Sequence, residues 1–436
     1  MSNIGEAERI TQNKVIQLFK EKLDYRFLGN WEYRDNSNIE VSLLQDYLKR
    51  QGYSDTLIKK AVNNLTAEAD LTEKDLYYAN KEVYRLLRYG VKVKENIGDS
   101  KETVNLIDWE NWNNNDFAIA EEVSVAGKHT KRPDIVLYIN GIALGVLELK
   151  KATKDVSKGI VQNRLNQQKD MIPSFFTTMQ FVMAGNESQG LRYGTIETKE
   201  KYYLQWKEPS TEENRLLSAL EQLCNKERFL EIIHDFVVFD KGIKKLCRHN
   251  QYFGVKAAQE RLKKREGGII WHTQGSGKSL TMVWLTKWIR QNIDDARVVL
   301  ITDREELDDQ IEKVFNGVDE AIYRTKNGAD LVDKLNRKEE WLICSLVHKF
   351  GGKSDDNFKN FEKEITRNLP EGFKAKGDIY VFVDECHRTQ SGTLHSAMKE
   401  ILPNAVFIGF TGTPLLKKDK QKSTIQLFFH SFSGDL

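Results

Sequence analysis

The sequence feature that most constrains this chain is a glycine-rich segment at residues 271–282, which reads WHTQGSGKSLTM. Glycines allow backbone N–H groups to face phosphate oxygens, and the helical pattern that follows adds a partial positive charge at its N-terminus. Lys278 is then expected to reach the β- and γ-phosphates, and the Ser279 hydroxyl is expected to hold Mg²⁺. The segment therefore predicts a nucleotide-binding loop, although His272 stands where the strict pattern has a glycine.

An acidic pair farther along the chain completes the predicted ATP site. The apolar run that starts at Asp378 ends at Asp384 and Glu385, as in a core strand that delivers carboxylates to the ligand-binding edge of an open α/β sheet. Asp384 is expected to hold Mg²⁺, and Glu385 to orient or deprotonate the attacking water. Gln251 is a candidate for adenine recognition, and an ordinary surface glutamine is an equal alternative. The residues predicted to bind ATP are Gln251, Thr273, Gly275, Ser276, Gly277, Lys278, Ser279 and Asp384.

Three further apolar segments, which are predicted strands, lie at residues 297–304, 341–350 and 407–414, and the first of them ends in polar residues. Strands that alternate with helical patterns indicate a parallel, doubly wound sheet. The Thr-Gly-Thr in the last segment is placed to sense nucleotide and nucleic acid together. The second half of the chain therefore has the sequence of an ATP-driven motor domain.

A second pattern, in the first half of the chain, points to phosphodiester cleavage. Two apolar strands flank an Asn-Gly dipeptide, which is a strong hairpin signal. Asp134 opens the first strand, and Glu148 and Lys150 close the second on a common face. Asp134 and Glu148 are expected to bind Mg²⁺, with the Leu149 carbonyl as a further candidate ligand. Lys150 would hold the attacking water or stabilise the charge that develops on the phosphorane.

The hairpin sets a geometric condition for that metal site. With a two-residue turn and regular pairing, Asp134 and Glu148 point to opposite faces of the sheet. A three-residue loop with a left-handed Gly141 would pair Tyr138 with Ile142 and restore a common face. We therefore predict the odd-length loop, or a bulge with the same effect. An even register without a bulge would contradict the nuclease assignment.

Taken together, these motifs resemble those of a known family. Gln-Gly-Ser-Gly-Lys-Ser, Thr-Asp-Arg…Leu-Asp-Asp-Gln, Asp-Glu-Cys-His and Thr-Gly-Thr-Pro resemble motifs I, Ia, II and III of superfamily 2 helicases. The Pro-Asp…Glu-x-Lys pattern resembles that of restriction-type nucleases. The chain is thus similar to the R (HsdR) subunit of type I restriction–modification enzymes. The resemblance implies an α/β protein, with a PD-(D/E)xK-type nuclease domain at residues 1–240 and a first RecA-like motor lobe at residues 245–436.

The resemblance also implies an activity and partners. It implies ATP and Mg²⁺ as cofactors, translocation on double-stranded DNA, and cleavage far from the recognition sequence. Methyltransferase and specificity subunits would find the target, since nothing in this sequence resembles a base-recognition module. A second motor lobe follows in the family, so we expect the sequence to be a piece of a longer protein. Two alternatives stay open: a stand-alone helicase–nuclease, and a catalytically silent module that binds DNA or a partner.

Two weaker predictions concern the surroundings of the nuclease site. The family's Gln-x-x-x-Tyr helix is degenerate here, because Gln162 is followed four residues later by Asn166. Gln162 and Gln167 are therefore weak candidates for contacts with the site or with DNA. Upstream, Glu121 and Glu122 lie in a strand-like segment, where they would either add acidic groups near the metal or face solvent.

The composition fits a soluble, cytoplasmic protein of two or three domains. With 66 basic and 64 acidic residues the net charge is only +2, so a DNA-binding surface requires segregated charge. Lys151, Lys154 and Lys158 lie just behind the proposed nuclease site, where phosphate contacts would be useful. No stretch approaches the ~20 apolar residues of a membrane span, and the start lacks the apolar core of a signal peptide. The four cysteines show no metal-binding spacing.

Overall fold

The computed structural model describes residues 6–273, 275–302, 312, 315, 321–346, 363, 365–384, 398–399 and 401–412. The chain divides into two compact units, Met1–His249 and Asn250–Leu436. Within the described residues, no helix is both long enough and apolar enough to cross a membrane.

The first unit combines helices with a central sheet. Its helices are Glu6–Glu21 (α1), Val41–Arg50 (α2), Asp55–Glu68 (α3), Leu76–Tyr89 (α4), Ser157–Asn166 (α5), Arg215–Leu223 (α6) and Lys226–Asp235 (α7). Its strands are Arg26–Asn30 (β1), Val91–Val93 (β2), Glu102–Val104 (β3), Phe117–Glu121 (β4), Ile135–Ile139 (β5), Ile142–Leu149 (β6), Phe181–Asn186 (β7), Gly190–Gly194 (β8), Val237–Asp240 (β9) and Ile243–Leu246 (β10).

Short polar side chains begin several of these helices. Ser54 accepts the N–H of Leu57 at the start of α3, and Asp75 accepts the N–H of Tyr78 at the start of α4. Asn214 caps α6 in the same way. Each cap satisfies an N–H group that the helix itself cannot pair, so the sequence fixes where these helices begin.

Six strands form a mixed sheet in the order β1-β4-β5-β6-β7-β8. β1 is parallel to β4 and β6 is parallel to β7, whereas the other neighbours are antiparallel. Every residue of β4, β5, β6 and β7 is buried. α5 packs on β6 and β7, and α6 packs on β8. Polar groups at the ends of the central strands therefore lie at the border of a dry core.

The first unit ends with the β9–β10 hairpin. Lys244 of β10 is buried, and its Nζ donates to Asn80 Oδ1 at 2.8 Å and to Gln180 Oε1 at 2.6 Å. Burial lowers the pKa of Lys244 well below its usual value. These contacts hold the hairpin in the first unit, and the second unit begins at Asn250.

The second unit contains a parallel sheet. Its helices are His249–Lys263 (α8), Lys278–Asn292 (α9) and Gly328–Asn336 (α10). The first residue of α8 is the last residue of the first unit. Its strands are Gly268–Trp271 (β11), Ala296–Thr302 (β12), Tyr323–Arg324 (β13), Leu342–Leu346 (β14), Asp378–Asp384 (β15) and Val406–Thr411 (β16).

The strand order in the second unit is β11-β16-β15-β12-β14-β13, and all neighbours are parallel. After β12 the chain adds β13 and β14 on one side and then β15 and β16 on the other. This reversal of direction is the position at which open α/β sheets bind ligands, beyond the carboxyl ends of the strands. The predicted α/β class and the parallel sheet are therefore confirmed.

Candidate functional site

The hairpin between β5 and β6 has a two-residue turn. Asn140 and Gly141 have φ values of 53° and 82°, the left-handed pair of a type I′ turn. A Cβ atom on Gly141 would lie 2.8 Å from the Glu40 carbonyl oxygen, so the chain at the start of α2 packs directly against the turn. Ile139 pairs with Ile142. The predicted three-residue loop is therefore wrong.

A bulge in β6 has the effect that the odd-length loop would have had. Leu144 is an extra residue of β6, because the pairing with β5 shifts there by one position. Beyond the bulge Ile135 pairs with Leu147. The next pair in this register, Asp134 and Glu148, consequently shares one face of the sheet. The predicted alternative, a bulge that restores a common face, is confirmed.

The three predicted nuclease residues form one connected cluster at the end of these strands. Asp134 Oδ2 accepts the N–H of Leu149 at 2.6 Å. Lys150 Nζ donates to Glu148 Oε1 at 2.6 Å and to the Leu149 carbonyl at 2.9 Å. Glu148 and Lys150 share a face by their spacing, and the bulge brings the Asp134 carboxylate to that face.

Burial controls the electrostatics of the cluster. It raises the pKa of Asp134 to about 6. It also raises the pKa of Glu148 well above its usual value, and the neighbouring Asp134 charge adds to this effect. Burial alone would lower the pKa of Lys150, but the charges of Glu148 and Asp134 outweigh it and raise that pKa. Two ionised carboxylates repel each other in such a dry site, and a shared cation would remove that repulsion.

The donor set of the cluster suits a hard divalent cation. Glu148 Oε2 is buried and has no hydrogen-bond partner within the described residues. Asp134, Glu148 and the Leu149 carbonyl offer oxygen ligands, and Mg²⁺ commonly keeps several waters. No group of three or more His, Cys, Asp or Glu residues suited to a metal occurs in the part of the chain that the structure describes. The protein would thus supply two carboxylates, and water would complete the coordination shell.

The two glutamates upstream are buried and held by other partners. Glu121 accepts two hydrogen bonds from the Arg9 guanidinium, at 2.6 and 3.2 Å. Glu122 pairs with Arg132 Nε at 2.7 Å and accepts from Gln12 Nε2 at 2.9 Å. The solvent-facing alternative is therefore wrong, and these carboxylates stabilise the strand that precedes the cluster.

Two residues near the cluster carried no sequence signal. Glu8 of α1 places Oε1 3.7 Å from Lys150 Nζ. A Cβ atom on Gly159 of α5 would lie 3.4 Å from Glu148 Cγ and 3.1 Å from Ala184 Cβ. The missing side chain at Gly159 therefore allows α5 to approach β6 and β7. Both contacts arise from packing between elements that lie apart in the sequence.

The helix with the degenerate glutamine motif is α5. Gln162 is half-buried on it. Gln167 donates its amide to the Asn163 carbonyl at 3.0 Å and accepts the Glu197 N–H at 2.7 Å. Gln167 thus fixes the end of α5 to a neighbouring loop, whereas a DNA contact by Gln162 stays a prediction.

The glycine-rich loop of the second unit has the backbone that its sequence predicts. Gly275 and Gly277 have φ values of 79° and 85°, which glycine adopts without strain. Ser276 Oγ donates to the Thr273 carbonyl at 2.6 Å and closes the turn. α9 begins at Lys278, so the unpaired N–H groups of its first turn follow the loop directly.

His272 explains how the loop tolerates the missing glycine. Its backbone lies outside the positive-φ region, and its N–H donates to the Thr411 carbonyl at 3.0 Å. Its ring packs on α8, where a Cβ atom on Gly254 would lie 3.0 Å from Nε2. A side chain at this position therefore leaves the two left-handed glycines unaffected.

Gln251 is buried against the loop. Its Nε2 donates to the carbonyl oxygens of Ser276 and Gly277, both at 3.0 Å. A Cβ atom on Gly277 would lie 2.5 Å from this nitrogen. The surface-glutamine alternative is therefore wrong, and adenine recognition by Gln251 stays a prediction.

The other predicted ATP-site residues lie at the carboxyl edge of the parallel sheet. Asp384 ends β15 and is buried, and Thr411 ends β16, the neighbour of β11. Trp271 Nε1 donates to the Gly412 carbonyl at 3.2 Å, which joins the start of the loop to the end of β16. Ser279 lies in the first turn of α9. Glu385, the residues after Gly412 and those of the predicted motif Ia at 303–310 lie outside the described residues.

Comparison with known proteins accounts for both units. Residues 6–201 match the family model described as the type I restriction enzyme R protein N terminus. Residues 250–433 match the SWI2/SNF2 ATPase family model. The second unit is therefore an ATPase domain of the SWI2/SNF2 class, which implies the use of ATP. The first carries the N-terminal domain of type I restriction enzyme R proteins.

Relatives that align with nearly the whole of this chain are endonuclease subunits of type I restriction enzymes. The MjaIXP endonuclease subunit of Methanocaldococcus jannaschii is 28% identical over 96% of this chain and 43% of its own length. The type I restriction enzyme HindI endonuclease subunit of Haemophilus influenzae is 29% identical over 95% of this chain and 44% of its own length. The chain is thus related to type I restriction endonuclease subunits and spans less than half of their length.

Among solved structures, the SWI2/SNF2 ATPase core of Sulfolobus solfataricus in complex with double-stranded DNA aligns with 45% of this chain and 37% of its own. The sequence identity is 15% and the TM-score is 0.34.

Proposed function

We propose that this chain forms the nuclease and motor part of a type I restriction enzyme. ATP hydrolysis drives translocation along double-stranded DNA, and the nuclease cuts at sites remote from the recognition sequence. The observation that carries the proposal is the cluster of half-buried Asp134 with buried Glu148 and Lys150, present in one chain with a SWI2/SNF2 ATPase domain. The names of the relatives support the same activity.

In the first unit, proposed as the PD-(D/E)xK-type nuclease domain at residues 1–240, each cluster member has a distinct role. Asp134 and Glu148 hold Mg²⁺ through their carboxylate oxygens. When bound there, the ion would supply positive charge to the phosphodiester and would lower the pKa of the attacking water. Lys150 keeps its proton because two carboxylates raise its pKa. Its ammonium group can therefore stabilise the charge that develops on the phosphate oxygens.

In the second unit, proposed as the first RecA-like motor lobe at residues 245–436, the loop and the strand edge hold the nucleotide. The N–H groups from Gly275 to Lys278 cradle the phosphates, and the Lys278 ammonium binds the β- and γ-phosphates. Ser279 and Asp384 hold the Mg²⁺ of the nucleotide, and Glu385 orients the attacking water. Gln251 links adenine binding to the loop that it already contacts.

We further propose that target recognition comes from partner subunits. Methyltransferase and specificity subunits would carry the DNA sequence preference, because this chain contains no motif that resembles a base-recognition module. The cluster cuts only after these subunits have placed the motor on DNA. Sequence choice and cleavage are thus divided between subunits.

The deciding experiment is cleavage of circular plasmid by the full-length protein with Mg²⁺ and ATP. The reaction is run with and without the methyltransferase–specificity complex from the same source. We expect cutting only when both ATP and that complex are present. ATP-dependent cutting without the complex would assign the protein to the stand-alone helicase–nucleases. Cutting without ATP would separate the two units functionally and overturn the proposed coupling.

A further inference from the structure

A basic surface borders the nuclease cluster on two sides. We define the basic arm as residues 126–132 and the lysine segment as residues 151–158. Together they contain one acidic residue, Asp155, whereas basic and acidic residues nearly balance in the chain as a whole, 66 to 64. Their lysines and arginines are Lys128, Lys131, Arg132, Lys151, Lys154 and Lys158. Positive charge is therefore segregated here, as binding of a polyanion requires.

Both stretches join the cluster directly. The basic arm leads into Asp134, and the lysine segment follows Lys150. Because β5 and β6 are antiparallel, the start of β5 and the end of β6 lie at the same end of the hairpin. The two stretches therefore flank the two carboxylates, one from each strand.

Four of these cations form no ion pair with a carboxylate in the part of the chain that the structure describes. Lys128 pairs with Asp170 at 2.8 Å, and Arg132 pairs with Glu32 and Glu122. Within the described residues, no ion pair involves the remaining lysines, which are exposed or half-buried. These are Lys131, Lys151, Lys154 and Lys158. Their ammonium groups are available to an external anion.

The basic arm is held in place before any ligand binds. Val125 and Lys131 exchange two backbone hydrogen bonds, at 2.8 and 3.1 Å, across its base. A Cβ atom on Gly127 would lie 2.3 Å from the Met171 carbonyl oxygen, so the arm packs on the chain that follows α5. The pair of Lys128 with Asp170 fixes the tip to the same segment. A preformed arm loses little conformational entropy on binding.

We infer that the basic arm and the lysine segment together bind the backbone phosphates of duplex DNA on either side of the bond to be cut. The inference rests on the proposed nuclease function and extends it to named contacts. Lysines reach phosphates as point charges and read no base sequence, so this surface holds any duplex that the motor delivers. It therefore suits cleavage at sites remote from a recognition sequence.

The test is a triple variant of the full-length protein, Lys131→Gln, Lys151→Gln and Lys154→Gln. Binding to a duplex of arbitrary sequence is measured by fluorescence anisotropy over a series of KCl concentrations. Each phosphate contact contributes about 0.9 to the slope of log K against log salt. We expect the slope to fall by roughly 2 to 3, cleavage to fall with it, and DNA-dependent ATP turnover to be retained.

A matched control carries the same charge change elsewhere in the first unit: Lys59→Gln, Lys92→Gln and Lys101→Gln. These exposed residues lie on α3 and on the β2–β3 hairpin. α3 packs on α2, and the chain at the start of α2 covers the Asn140–Gly141 turn. This turn is at the end of the β5–β6 hairpin opposite to the nuclease cluster. If both triple variants change the slope and cleavage equally, the inference is overturned. Glu148→Gln is run in parallel, and its continued cutting would instead overturn the proposed nuclease site.

Discussion

At the scale of single residues, burial disfavours the charged form of both carboxyl groups in the cluster of Asp134, Glu148 and Lys150. In addition, Glu148 Oε2 is buried without a hydrogen-bond partner among the described residues. Such strain is common where a site must bind an ion or a transition state. Substitutions that remove the charge should therefore stabilise the protein while they abolish cutting.

Asp134→Asn should raise the unfolding free energy of the first unit at pH 7 by about 1–3 kcal/mol without Mg²⁺. The pKa of Asp134 is raised to about 6, so its proton binds more tightly in the folded state. The stability due to that proton is full below the unfolded pKa of ~3.9 and is lost as the pH rises through 6. Asparagine keeps an acceptor for Leu149 N–H and never ionises. Urea unfolding at pH 4 and pH 7 measures the effect.

The control for that measurement is Asp155→Asn. Asp155 is fully exposed, and hydrogen bonds from Ser157 and Gln189 lower its pKa to about 2. Neutralising this carboxylate should not stabilise the protein at pH 7. A gain for Asp134→Asn of the same size at both pH values would show that ionisation is not its cause.

At the scale of elements, the position of the cluster depends on how β6 and α5 are built. The bulge at Leu144 turns Glu148 to the face of Asp134, and Gly159 allows α5 to lie against Glu148. The buried strand β6 fixes the position of Glu148, and the lack of a side chain at Gly159 lets α5 pack close to it. The orientation of Glu148 is thus a property of two elements and not of its own sequence neighbours.

Gly159→Val should lower both stability and cleavage. A Cβ atom at this position already lies 3.1 Å from Ala184 and 3.4 Å from Glu148, so a branched side chain must move α5 away from the sheet. We expect a loss of about 1–3 kcal/mol, cleavage reduced at least tenfold, and ATP turnover unchanged. Leu165→Val, at an exposed position of α5, controls for the helix propensity of valine. Wild-type cleavage in Gly159→Val would show that α5 does not position Glu148.

At the scale of the whole molecule, the chain carries two sites of different chemistry in two compact units. The nuclease cluster lies in Met1–His249, and the nucleotide loop lies in Asn250–Leu436. If cutting depends on translocation, damage to the two sites should have unequal consequences. Loss of ATP turnover should abolish DNA cleavage, whereas loss of cleavage should leave ATP turnover unchanged.

Lys278→Ala should therefore abolish ATP turnover and plasmid cleavage together in the full-length protein with its partner subunits. Glu148→Gln should abolish cleavage and keep ATP turnover within about twofold of wild type, since one charge change in the first unit leaves the nucleotide loop intact. Lys264→Ala, an exposed lysine after α8, serves as the control. Cleavage of plasmid by Lys278→Ala would contradict the coupling.

Much of this architecture could be predicted from local sequence. The loop glycines, the parallel strands and the carboxylates at strand ends follow from spacing and alternation, which act over a few residues. The loop length between β5 and β6 could not be settled in this way. An Asn-Gly turn with a bulge satisfies the same alternation as a longer loop without a bulge. The structure has the turn with the bulge, and the chain at the start of α2 packs on Gly141 of that turn.

The sequence by itself determined the two candidate sites of this protein, because a phosphate loop needs glycines at fixed spacing and a metal site of the proposed kind needs carboxylates beside buried strands. Only the tertiary structure decided which charged groups work together. In the folded chain Glu121 pairs with Arg9, and Glu122 pairs with Arg132. Gln251 donates to the glycine-rich loop, and Glu8 lies near Lys150. Ion pairs and close packing join residues that are distant in the chain, so their geometry exists only once the fold has formed.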